Sequence, residues 1–124
     1  MGLNIVIDEA FSKIEPNGRI KVQVSWVALK ARSMEINLLW FTSGKGDEDV
    51  QIIETKTLEH IGSDGERSVE FELPDQPYSF SGKLISLHWA IEAVPETNEE
   101  SKTIEFILSP TGKEVVLKDS ILEE

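Results

Sequence analysis

The stretch LPDQPYSFSGKLISLHWAIEAV, from Leu73 to Val94, decides how this chain is read. Its first half is punctuated by Pro74, Pro77 and Gly82, residues that restrict or redirect a backbone. Its second half alternates, with Ile85, Leu87, Trp89, Ile91 and Ala93 in one phase and Ser86, His88 and Glu92 in the other. A period of two belongs to a strand with one buried face. The stretch therefore reads as a proline-guided entry into one of the longest strands, with Trp89 inward and His88 on the opposite face.

The same period runs outward in both directions. NIVI (residues 4–7) is a short strand, and Pro16-Asn17-Gly18 is a turn. RIKVQVSWV (19–27) sets Ile20, Val22, Val24 and Trp26 against Lys21, Gln23 and Ser25. ALKARS (28–33) is expected to be a brief helical turn or a hairpin loop. MEINLLW (34–40) then repeats the pattern through Met34, Ile36, Leu38 and Trp40. In VQIIETKTLEHI (50–61) the adjacent Ile52 and Ile53 break alternation, the sign of a bulge or of an element burying both faces. Ser63-Asp64-Gly65 is a turn, followed by Val69, Phe71 and Leu73 in phase. TIEFIL (103–108), a turn at Pro110 and Gly112, and EVVL (114–117) complete the series.

No segment carries a helix of ordinary length. The chain is expected to be all-β, an immunoglobulin-like or arrestin-like sandwich of about 7–9 mostly antiparallel strands. Its 124 residues suit one domain, residues 1–124, with 118–124 as a frayed tail.

Charge narrows the function classes. With 23 Asp and Glu against 12 Lys and Arg, the formal net charge is -11. Such a chain repels a nucleic-acid backbone and an anionic membrane surface, so neither nucleic-acid binding nor membrane insertion is expected. No run approaches the ~20 apolar residues of a spanning helix. The first residues show no basic segment before an apolar core, so the cytoplasm is the expected compartment. Without cysteine there is no disulfide, thiol nucleophile or thiolate metal site.

Each candidate site has a plainer reading. Gly44-Lys45-Gly46 lacks the spacing of a phosphate loop. Asp47, Glu48 and Asp49 lack the mid-loop glycine and closing glutamate of a calcium loop. His60 sits by a turn, and neither it nor His88 belongs to a zinc-binding pattern. Ser79, Ser81 and Ser86 are near His88 in sequence, which does not supply nucleophile–base geometry. The phases of Trp26, Trp40 and Trp89 assign all three to the core. The acidic runs at 96–100 and 123–124 read as solvated charge. No catalytic residue, cofactor or metal is expected.

The opening stretch also resembles a segment of arrestin-fold proteins, at the end of their N-terminal half. There a polar strand ends in Leu-Pro, a short link leads to Pro-x-Ser-Phe-x-Gly, and a long strand alternates aromatic and aliphatic residues. The matching residues are Phe71, Leu73, Pro74, Pro77, Ser79, Phe80, Gly82, Ile85, Trp89, Ile91 and Val94. The likeness covers about 25 residues, and the family's Pro-Gly-Glu turn is here Pro16-Asn17-Gly18-Arg19. A full arrestin has two sandwiches and this length suits one, so receptor and clathrin binding are not carried over. The resemblance implies a non-catalytic protein-interaction or assembly scaffold working through a sheet edge or surface groove. Its partner would be an unidentified protein or a second copy, and Tyr78, Phe80 and His88 are the candidate interaction rim. A small-ligand or carbohydrate module using exposed aromatic residues is the alternative.

Overall fold

Each alternating run becomes a strand whose apolar phase faces inward. The computed structural model describes residues 2–8, 16–44, 48–82, 85–97, 100–108 and 115–116. Its strands are β1 (Gly2–Ile7), β2 (Arg19–Val27), β3 (Ser33–Gly44), β4 (Val50–Glu59), β5 (Gly65–Glu72), β6 (Phe80–Ser81), β7 (Ile85–Pro95), β8 (Lys102–Phe106) and β9 (Val115–Val116). There is no helix among the described residues, and hence none able to cross a membrane. The expected tail at 118–124 lies outside them, as do Lys45, Gly46 and Asp47.

Two sheets face each other. The smaller has the order β1-β2-β5. The larger runs β4-β3-β7, and the far side of β7 is shared by β6 at one end and β8 along the rest. Only the short β6–β9 pairing is parallel among the described strands. The architecture is the all-β sandwich that alternation implies.

Between the sheets lie Ile20, Val22, Val24 and Trp26 of β2, Met34, Ile36 and Leu38 of β3, Val69 and Phe71 of β5, and Leu87, Trp89 and Ile91 of β7. Burial of each such side chain contributes roughly 1.5–3 kcal/mol. Trp40 shares this phase but is only half-buried against the cluster. The break at Ile52-Ile53 resolves as a bulge. Leu38 pairs with Glu54 and Leu39 with Ile52, leaving Ile53 without an opposite residue.

The segment ALKARS is neither a helical turn nor a hairpin. It carries the chain from β2 in one sheet to β3 in the other. The residues after β4 cross back to β5 at the same end, and the two crossovers are laced together. Leu29 donates its N–H to the Ser63 carbonyl at 2.9 Å, and Ile61 donates to Arg32 at 3.3 Å. Ala28, held at a left-handed φ of 55°, donates to the Asp64 carboxylate at 2.7 Å. Trp26 closes the knot, its Nε1 donating to the carbonyls of Ile61 and Gly62 at 3.2 Å.

The proline-rich entry is anchored at the opposite end. Leu73 donates to Gly18 at 2.9 Å, and Asn17 donates back to Pro74 at 3.2 Å. The Gln76–Pro77 bond is cis. Trp89 Nε1 donates to the Pro77 carbonyl at 2.8 Å, so the long strand holds the loop that leads into it. Buried Ser79 exchanges two bonds with Leu108, through its N–H (2.8 Å) and its Oγ (3.0 Å).

Gly65 lies directly opposite Trp26, and a Cβ there would stand 2.6 Å from the indole Cζ2. Gly65→Ala is therefore expected to lower stability by about 1–3 kcal/mol, the range for overpacking a filled site. Gly2→Ala, with nothing within 4 Å of the added carbon, is the control. Urea midpoints of the two variants check this; equal midpoints would show that the indole yields freely.

Candidate functional site

The two outer faces differ in chemistry, and register shows how. On the smaller sheet, Arg19 lies opposite Glu72 and Lys21 opposite Glu70, while Arg19 Nη1 stands 3.4 Å from Glu70 Oε1. Opposite charges alternating across strands make an ordinary solvated surface.

On the larger sheet the outer positions form rows. Val50, Phe41 and His88 make one; Ile52, Leu39, Ala90 and Glu105 the next; then Thr55, Asn37, Glu92 and Thr103; then Thr57, Glu35 and Val94. No lysine or arginine has its register position in these rows. Apolar and aromatic residues occupy one end, and carboxylates lie to the side and below.

His88 is the best-organised polar residue of this face. Its ring stacks on Phe41, with centroids 5.0 Å apart. Nε2 lies 2.9 Å from Ser43 Oγ, and Nδ1 lies 3.3 Å from Glu105 Oε1. Serine, imidazole and carboxylate stand in the order of an acyl-transfer relay. Chemistry of that kind also needs amides aimed at a developing oxyanion. Ser43 instead sits within the β3–β7 ladder, paired with Ser86, where main-chain donors serve the sheet. The contacts fix the ring on the sheet surface. The serines nearest His88 in sequence are not its partner, because alternation gives no sign of which strand neighbours β7.

His88 also sits where β6 and β8 part, beside a cleft of about 300 Å³ lined by Ser79, Glu105, Phe106 and Ile107. Tyr78 is exposed on the loop next to Ser79. Phe80 pairs with Leu87 and packs half-buried against the core, so it and His88 belong to opposite faces. The three rim residues thus do not share one surface. A second cleft, of about 460 Å³, lies by the laced crossovers between Arg32, Glu59, exposed His60 and Glu96. There Glu96 Oε1 accepts the Arg32 N–H at 2.6 Å. In neither cleft do three His, Asp or Glu side chains converge to hold a metal ion, among the described residues.

The edge of this face is β4. It pairs with β3 alone, and its far side has no neighbour among the described strands. Val50, Ile52 and Ile53 are 66%, 49% and 41% exposed. The C-terminal half differs, because Lys56 turns inward: Nζ donates to the Glu70 carbonyl on β5 and lies 5.2 Å from the centre of the Phe71 ring.

No family model and no curated protein matches the chain. Among solved structures it is similar to Spo0M, a sporulation control protein from Bacillus subtilis, with 14% identity and a TM-score of 0.53. That match covers 88% of this chain and 50% of the other, so the chain spans half of its neighbour's length. A β-glucosidase from Listeria innocua, in complex with gluconolactone or isofagomine, aligns at 11% and 13% identity with TM-scores of 0.48. Those alignments cover 92% and 94% of this chain but 16% of the enzyme, and they do not indicate catalysis. The Spo0M likeness shows the fold alone, and it is compatible with the arrestin-like resemblance of the Leu73–Val94 segment.

A fluorophosphonate probe reports serines activated for acyl transfer. Wild type and Ser43→Ala are expected to label equally weakly. Labelling of wild type that the substitution removes would make His88 a working base.

Proposed function

We propose that this chain is a non-catalytic interaction or assembly module of the cytoplasm that engages another polypeptide by strand addition along the first half of β4. The observation carrying this reading is an edge that has no partner among the described strands and whose Val50, Ile52 and Ile53 side chains are exposed. An edge strand presents main-chain donors and acceptors to any extended chain, and long apolar edges without protection pair readily. Two protections are built into β4. The bulge at Ile53 twists the strand, and Lys56 places an inward charge further along. Neither covers Val50 to Ile52, where backbone hydrogen bonds would provide affinity and alternate side chains selectivity.

His88 joins this surface through Phe41, which lies between it and Val50 on the same row. Tyr78 and Phe80 fall outside it. The likeness to a sporulation control protein accords with a regulatory rather than chemical role. A carbohydrate platform has less support: Trp26 and Trp89 are buried, with both indole N–H groups committed to backbone carbonyls.

Ile52→Lys tests the reading, because the side chain is 49% exposed and lies outside the core cluster. Wild type and variant are expected to unfold at matching urea midpoints, and a partner captured by wild type is expected to be lost by the variant. Undiminished capture by a folded Ile52→Lys protein would rule out the β4 edge.

A further inference from the structure

Resting on that reading, we infer that the segment which docks on β4 is a basic one, an extended strand alternating apolar and Lys or Arg residues, rather than a second copy of this chain. Strand addition places the incoming side chains alternately on the two sides of the sheet. On the outer side they would lie beside Val50 and Ile52, next to Phe41 and Leu39. That side asks for apolar residues. On the other side they would lie beside Gln51 and Glu54, both exposed, with Glu48 and Asp49 exposed just before the strand.

The only cation of β4 does not neutralise this edge. Lys56 reaches across the sandwich to Glu70 and Phe71 on β5. Across the sheet, Glu35, Glu92 and Glu105 hold the outer positions with no Lys or Arg in the rows between them. A basic strand therefore meets carboxylates at both ends of the apolar segment and over the face beyond it.

A second copy meets the opposite situation. Two-fold pairing of β4 with itself would join two larger sheets into one, with both outer faces on the same side. The two chains so joined would each carry a formal charge of -11. Like charges brought together in this way oppose association.

The probes are two synthetic peptides, acetyl-KVKVKVK-amide and acetyl-EVEVEVE-amide, titrated into the full chain and followed through its backbone amide NMR signals. The lysine peptide is expected to shift the amides of Val50 to Glu54, to bind more weakly as salt rises, and to bind roughly fivefold more weakly to Glu54→Lys. The glutamate peptide is expected to leave those amides unmoved. If both peptides shift Val50 to Glu54 equally, charge selection is overturned while edge docking stands. If neither does, edge docking falls with it. Light scattering of the chain alone completes the test: a mass that doubles with concentration and reverts in Ile52→Lys would identify the occupant as a second copy and overturn the inference.

Discussion

The indole of Trp26 is the constraint on which both sheets depend. A sandwich requires the chain to leave one sheet and enter the other, and each departure strands main-chain groups that the ladder had satisfied. Here two departures, β2 to β3 and β4 to β5, occur at the same end and satisfy each other. Trp26 Nε1 donates to the carbonyls of Ile61 and Gly62, while Leu29, Ile61 and Ala28 close the remaining bonds. The ring lies against Gly65, where no other residue fits without displacement. Because Gly65 begins β5 and Ser33 begins β3 on either side of this knot, it helps to set the registers of both sheets. A slip of one residue would turn every inward side chain of a strand outward.

The exposed edge follows from the same crossover. Once the chain leaves β4 for β5 in the other sheet, nothing that comes later in the described chain returns to the far side of β4. The fold answers with local devices rather than with another strand. Lys56 spans the opening between the sheets, its ammonium on a β5 carbonyl and near the Phe71 ring. The bulge at Ile53 changes the twist before it. Since Lys56 must lie where β4 and β5 approach, its protection extends only over the second half of the strand. The apolar first half is left open by position.

Much of the layering was legible from residue types. The inward phases of β2, β3, β5 and β7 were written in alternation, and the prolines before β7 marked its entry. Ile52-Ile53 signalled the bulge as a break in that pattern. Other features depend on which strands are neighbours, and alternation is silent about that. Ser43 is 45 residues from His88 and becomes its partner only through the β3–β7 register. Of Tyr78 and Phe80, a turn can direct one ring inward and leave the other at the rim; β6, two residues long, packs Phe80 half-buried against the core. The residues of ALKARS allow a brief helical turn or a hairpin loop, whereas bonds from Ala28 to Asp64 and from Leu29 to Ser63 hold it as a bridge between sheets.

The acidic excess gains meaning from where it falls. On the smaller sheet Glu72 and Glu70 face Arg19 and Lys21 across the β2–β5 ladder, so the field of these pairs largely cancels within a Debye length. On the larger sheet Glu35, Glu92 and Glu105 have no such partners at neighbouring outer positions, and Glu48, Asp49 and Glu54 continue the same sign to the free edge. The uncompensated carboxylates and the edge without a partner among the described strands therefore coincide on one side of the larger sheet. Long-range attraction would draw a cationic chain toward that side, and the directional hydrogen bonds of β4 would then fix its orientation. Neither force does this alone. Charge without an edge gives loose, screened attraction, and an edge without charge accepts any extended strand.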